Sequence, residues 1–110
     1  MADLLERARP LFYNEVLSVP DSILVPIISK EMTARTSITN IVCSGEIYAE
    51  YSLFHKGKKV AVKRSSPTRN VDFSFPSDLT FEEKDLFEVK VIHYRTDQTP
   101  KFECGVFGYN

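Results

Sequence analysis

Short runs in which apolar and polar side chains alternate, broken by turn residues every 8 to 12 positions or so, constrain this chain more than any other feature. Val71-Asp72-Phe73-Ser74-Phe75 alternates strictly up to Pro76, and Phe87, Val89 and Val91 alternate with Glu88 and Lys90. A period of two sends one face of a segment to a core and the other to water, which is the pattern of a half-buried antiparallel strand. Further strands are predicted over Ile38 to Val42 running into Cys43, over Ile47 to His55, and over Val60 to Lys63, with Lys56-Gly57-Lys58 as the hairpin between the last two. Val16 to Val19 and Ile23 to Ile28 are short apolar runs punctuated by Pro20 and Pro26, which restricts them to sheet edges or to a strand that changes partner, because proline has no N–H to donate. Phe102, Cys104 and Val106 share the inward parity of a last strand. About seven or eight such strands predict an all-β, Greek-key antiparallel β-sandwich.

Residues 1–12 read as a tail or a short helix, because Leu4, Leu5 and Ala8 share a helical face and Pro10 stops it early, leaving 13–110 as one sandwich domain. Thr80-Phe81-Glu82-Glu83 matches a capping box and predicts one helical turn. A length of 110 residues with 43% apolar side chains supports a single core, and a net charge of −1 with a pI near 6.1 gives no whole-chain attraction to nucleic acid. The N-terminal stretch mixes charge into its apolar pair and has no hydrophobic region of the secretory type.

Little in the residue pattern points to a reaction. His55 and His93 sit in no metal-ligand spacing beside a cysteine, and Asp78, Glu82, Glu83, Asp85 and Glu88 read as a solvated acidic turn. The four glycines form no phosphate loop, and no serine-centred nucleophile elbow is present. A non-enzyme without cofactor or metal is the expectation.

Three segments together carry a resemblance. Ser37-Ile-Thr-Asn-Ile-Val-Cys43 resembles an immunoglobulin strand B, Tyr51-Ser-Leu-Phe-His-Lys-Gly57-Lys-Lys-Val60 resembles strand C turning into C′, and Val89 to Asp97 followed by Phe102-Glu-Cys104 is similar to strands E and F. The strand C phrase is similar to the leukocyte branch of Fc-receptor-like and platelet-endothelial-adhesion-type domains. The resemblance implies an immunoglobulin-like sandwich with a Cys43–Cys104 disulfide across the core, Leu53 standing where the family has a tryptophan, and Phe102 buried beside it. It also implies a chain truncated before the last strand, since six residues follow Cys104. Strands C and F are neighbours in that fold, so Tyr48, Phe54, Phe107 and Tyr109 would form one outward aromatic patch for a protein partner, a receptor, a ligand or an identical copy. The implied role is non-catalytic recognition or adhesion at the cell surface, with any membrane attachment made by a segment outside this chain.

A second resemblance is to phosphoinositide-kinase-type C2 domains, carried by Ile47-Tyr-Ala-Glu-Tyr-Ser-Leu53, Gly57-Lys-Lys59 and Thr68-Arg-Asn70. It implies a cytoplasmic module in which Lys58, Lys59, Lys63 and Arg64 face an anionic membrane at about 1 kcal/mol per charge. Basic residues on a hairpin also serve simply as a solvated edge that discourages sheet-to-sheet aggregation. Free thiols would favour the cytosol and a Cys43–Cys104 bond the exterior.

Overall fold

Eight strands are present in the computed structural model, which describes residues 9–65 and 71–110: β1 (Arg9–Val16), β2 (Val25–Glu31), β3 (Thr36–Gly45), β4 (Ala49–His55), β5 (Lys58–Ser65), β6 (Val71–Phe81), β7 (Leu86–Ile92) and β8 (Phe102–Tyr109). Their pairing is nested. β4 pairs with β5, β3 with β6, β2 with β7 and β1 with β8, all antiparallel, as though one long hairpin had been rolled up from its tip. Two further antiparallel pairings, β3 with β8 and β4 with β7, join the rolled segments into sheets ordered β1-β8-β3-β6 and β2-β7-β4-β5. Two four-stranded sheets with this order make a jelly-roll form of the Greek-key antiparallel β-sandwich.

This strand order departs from the immunoglobulin one, in which the strands equivalent to β3 and β8 lie in opposite sheets. Here they are hydrogen-bonded neighbours. β8 is also flanked on both sides, by β1 and β3, so the unpaired strand implied by a truncated immunoglobulin domain is not found. The first strand begins at Arg9, earlier than the boundary at residue 13, because an edge strand tolerates Pro10 where a central one would not. Thr80 and Phe81 close β6 instead of opening a helical turn. The following residues form a tight turn in which Glu82 N–H donates to Asp85 Oδ2 at 2.8 Å and Asp85 N–H returns to the Glu82 carbonyl at 3.1 Å, with Lys84 at φ 74°. The expected helix over Leu4, Leu5 and Ala8, the Thr68-Arg69-Asn70 stretch and the Asp78 side chain fall outside the described residues.

The β4–β5 hairpin follows its expected chemistry. His55 opposes Lys58 across a two-residue loop, and both loop residues take positive φ, 56° at Lys56 and 81° at Gly57, the conformation whose twist matches the flanking strands. The core lies between the sheets and includes Ile38, Ile41, Leu53, Val89, Val91, Phe102 and Val106, all fully buried. Three aromatic contacts organise it: Phe81 meets Phe87 edge-on at 5.3 Å, Tyr51 meets Phe102 edge-on at 6.1 Å, and Phe12 tilts against Phe87 at 6.3 Å.

Each of the four edge strands carries a device against pairing with a neighbouring molecule. β1 has Pro10 and a register shift between Pro10 and Phe12, and β2 has Pro26 and a shift between Pro26 and Ile28. β5 exposes Lys58, Lys59, Lys63 and Arg64, and β6 contains Pro76. The Asn14 side chain crosses from β1 to donate to the Ile27 carbonyl on β2 at 2.7 Å, tying two of these edges together.

Candidate functional site

Cys43 and Cys104 face the interior as their parity predicts, but they are directly opposed residues on adjacent strands of one sheet and do not bridge the two sheets. Both are free thiols, with Cys43 Sγ donating to Cys104 Sγ at 3.3 Å. The partner sulfur, followed by burial, pushes the Cys43 thiol above its usual range.

Leu53 and Phe102 are fully buried, in the positions expected for core residues. The four aromatics expected to form one patch are separated instead. Phe54 lies half-buried on the outer face of the β2-β7-β4-β5 sheet beneath Lys90 Nζ, 4.6 Å from its ring centroid. Phe107 and Tyr109 belong to β8, in the other sheet, so the thickness of the sandwich stands between them and Phe54. Tyr48 is in the β3–β4 connection and is 70% exposed. The reason for the correction is the strand order: β4 has β5 and β7 as neighbours, never β8.

Tyr48 belongs to a different group. It lines a cleft of about 250 Å³ together with Glu50, Arg64, Ile92 and Tyr94, with His93 beneath. Local structure explains why these side chains meet. Glu46 accepts from Lys101 N–H through Oε1 at 2.7 Å and donates its own N–H to the Lys101 carbonyl at 3.3 Å, which clamps the β3–β4 connection to the segment before β8. Ile47 is buried by that clamp and Tyr48 is left outward.

On the other wall, β7 ends at Ile92, opposite Glu50 of β4. His93 then turns inward, 1% exposed, its ring 5.8 Å from that of Phe102. Arg95 N–H donates to its Nδ1 at 3.1 Å, so that nitrogen carries no proton and Nε2–H donates to the Val19 carbonyl at 2.8 Å. A neutral imidazole with both nitrogens satisfied is a structural strut, and it pushes Tyr94 outward to 68% exposure. The cross-strand pair Glu50 and Arg64 forms the rim, with Arg64 Nε 3.3 Å from Glu50 Oε2.

Two polar networks lie elsewhere. On the outer face of the β1-β8-β3-β6 sheet, Glu103 accepts from Tyr13 Oη at 2.5 Å and from Ser44 Oγ at 2.8 Å, linking three adjacent strands. Those two donors, Tyr13 foremost, hold the Glu103 carboxyl below the usual carboxylate range, and the same bond to Glu103 pushes the Tyr13 phenol up to about 12. The Glu103 contribution is present above the unfolded carboxylate value of about 4.3 and is lost as pH falls through the folded value. The Tyr13 contribution is present below about 10 and lost as pH rises through the folded value. Tyr13→Phe is therefore expected to raise the Glu103 titration midpoint, read from its side-chain carboxyl carbon by NMR. An unchanged midpoint would show that Ser44 alone holds the carboxylate.

At the opposite end, Asp85 is held low by the Glu82 N–H, then by Lys56 and His55, whose Nε2 is 3.5 Å away. The His55 ring packs 4.2 Å from that of Phe81, so this histidine fastens the β6–β7 turn to the hairpin. No group of three or more His, Cys, Asp or Glu side chains able to hold a metal occurs among the described residues.

The basic edge is partly spent. Lys63 Nζ donates to the Asp72 carbonyl at 2.7 Å and lies 5.8 Å from the Phe73 ring centroid, while Arg64 is committed to Glu50.

Comparison with known proteins gives a likeness among solved structures alone. No family model matches the chain, and no curated protein matches it. Among solved structures, a chain of the T13 IBDV viral particle is similar over 94% of this chain and 31% of that one, with a TM-score of 0.40 and 9% identity. This chain thus spans under a third of the length of that viral-particle chain, and a likeness so slight carries no function across.

Tyr48 and Glu50 are legible in the sequence as outward neighbours on one strand, whereas no motif in it brings Arg64, Ile92 and Tyr94 to them. The available signal was an aromatic just past the end of the best-defined strand, Tyr94 after Ile92, mirrored by Tyr48 just before another.

Proposed function

We propose that this chain is a non-catalytic recognition module that binds a protein partner through the cleft between Tyr48 and Tyr94. The observation that carries this reading is the pair of tyrosines, each about two-thirds exposed, on one cleft, with Tyr94 set beside the buried and fully hydrogen-bonded His93 and Tyr48 beside the Glu46–Lys101 clamp. Aromatics seated at a pre-formed concavity bury large area at small cost in side-chain entropy, which is the physical profile of binding anchors. The burial of both thiols and the structural roles of both histidines favour binding over catalysis. The strand order lends nothing to a leukocyte-receptor setting, so the binding role rests on the cleft itself.

A photo-crosslinking residue placed at Tyr48 should give one discrete adduct that the same residue at Glu31 does not give. Once the adduct is identified and purified, the Tyr48→Ser, Tyr94→Ser double variant should bind it at least about thirtyfold more weakly with unchanged melting. Unchanged affinity would refute the cleft as the binding surface.

A Cys43–Cys104 bond is part of the cell-surface form of this proposal. Direct opposition on neighbouring strands places the sulfurs for oxidation, and closing a loop of this size would stabilise the fold by about 4 kcal/mol in chain-entropy terms. Intact mass of protein isolated under alkylating quench, with a loss of two hydrogens, would support an oxidising compartment. Two alkylated thiols would support the cytosol.

A further inference from the structure

We propose that the ligand seated in the Tyr48–Tyr94 cleft is a neutral saccharide unit carried by the partner. The inference deepens the recognition reading above and rests on it. Three features of the cleft select this chemistry.

The first is charge. Glu50 and Arg64 sit at the rim as a pair whose charges cancel, so neither an anionic nor a cationic ligand finds a complementary field there.

The second is hydrogen-bonding capacity left over from that pair. The contact between Glu50 and Arg64 uses Nε and Oε2, and neither Glu50 Oε1 nor the terminal amino groups of Arg64 have a partner among the described residues. An acceptor and planar donors side by side match adjacent hydroxyls of a sugar ring, one of which donates to the carboxylate while its neighbour accepts from the guanidinium.

The third is the walls. Tyr48, Tyr94 and Ile92 line the cleft with two exposed aromatic rings and a branched alkyl group, side chains of the kind that stack on the C–H face of a pyranose. His93 offers the ligand nothing, because both of its nitrogens are engaged by backbone. The cleft therefore binds by stacking and by the rim pair, and a single sugar unit fits an opening of about 250 Å³.

The test is an amide chemical-shift titration of the isotope-labelled chain with methyl glycosides of glucose, galactose, mannose and N-acetylglucosamine. Glucosamine, N-acetylneuraminic acid and a proline-rich peptide serve as comparators. At least one neutral glycoside should give saturable shifts confined to Tyr48–Glu50, Arg64 and Ile92–Tyr94, with a dissociation constant of about 1 mM, and the charged sugars should bind at least about tenfold more weakly. Tyr94→Ala and Glu50→Gln should each abolish these shifts, while Tyr13→Ala, on the opposite sheet, should leave them unchanged. Absence of cleft shifts with every neutral glycoside, equal binding by the variants, or saturation of the cleft by the peptide alone would overturn the proposal. The crosslinked adduct separates the two readings: if it forms equally with an enzymatically deglycosylated partner, the saccharide inference falls and protein recognition stands. If no adduct forms at all, the recognition reading itself falls.

Discussion

Phe102→Ala should lower the unfolding free energy by about 3 to 5 kcal/mol, the largest loss expected from any single truncation in the core. Phe102 is fully buried at the start of β8, and its ring serves three groups at once. It meets Tyr51 edge-on across the sandwich, backs the His93 strut, and lies so close over Gly45 that no side chain at that position shares the space. Removing it opens a cavity bounded by backbone on one side and by a hydrogen-bonded histidine on the other, neither of which collapses readily. Chemical denaturation read by tyrosine fluorescence measures the loss. A cost under about 1 kcal/mol would show that the surrounding chain closes the gap.

Gly108→Ala should be comparably damaging for the opposite reason, because it adds a group where none fits. A Cβ at 108 would land on the Ser37 carbonyl oxygen, a backbone atom of the partner strand β3 in the pair Ile38 and Gly108. Backbone cannot rotate away as a side chain does, so β3 and β8 must separate locally at a cost of about 3 kcal/mol. Protection of the amides of residues 37–40 against hydrogen exchange should fall selectively in a variant that still folds. Wild-type protection in a folded Gly108→Ala protein would mean that the strands accommodate the methyl without parting.

What the sequence discloses here is parity, and what it conceals is adjacency. Alternation correctly turned Leu53, Phe102, Cys43 and Cys104 inward, because each strand buries one face whichever sheet holds it. The choice between facing sheets and neighbouring strands for the two cysteines depends on the order in which strands dock, and both orders turn both sulfurs inward. The aromatic patch failed for the same reason: Phe54 and Phe107 each lie on an outer face, but the outer faces belong to different sheets.

The Glu50–Arg64 rim was hidden more locally. An unbroken register from the Lys56-Gly57 turn would set Glu50 against Lys63, and the bulge between Leu53 and Phe54 advances the partner by one residue to Arg64. A bulge is an irregularity of backbone pairing, and no residue type in the hairpin announces it. The Thr80–Glu83 capping box was overridden by tertiary context. Phe81, fully buried against Phe87 and His55, gains more as the last residue of a strand than a single helical turn could return.

The nested pairing also dictates an order of assembly. The contact between β4 and β5 closes a loop of two residues, whereas β1 and β8 join almost opposite ends of the chain. Searched for independently, the outermost pair would carry a large closure entropy. Reached after the inner pairs have formed, it closes only the short connections left between strands already in place. The polypeptide can thus zip from the hairpin tip outward, each step spanning little unordered chain, and the docking of β3 on β8 and of β4 on β7 comes last as one collective event. Folding of this kind is limited by that final closure, so rates should respond to Gly108 and Phe102, which lie at the β3–β8 seam, more than to substitutions in the tip at Lys56 and Gly57.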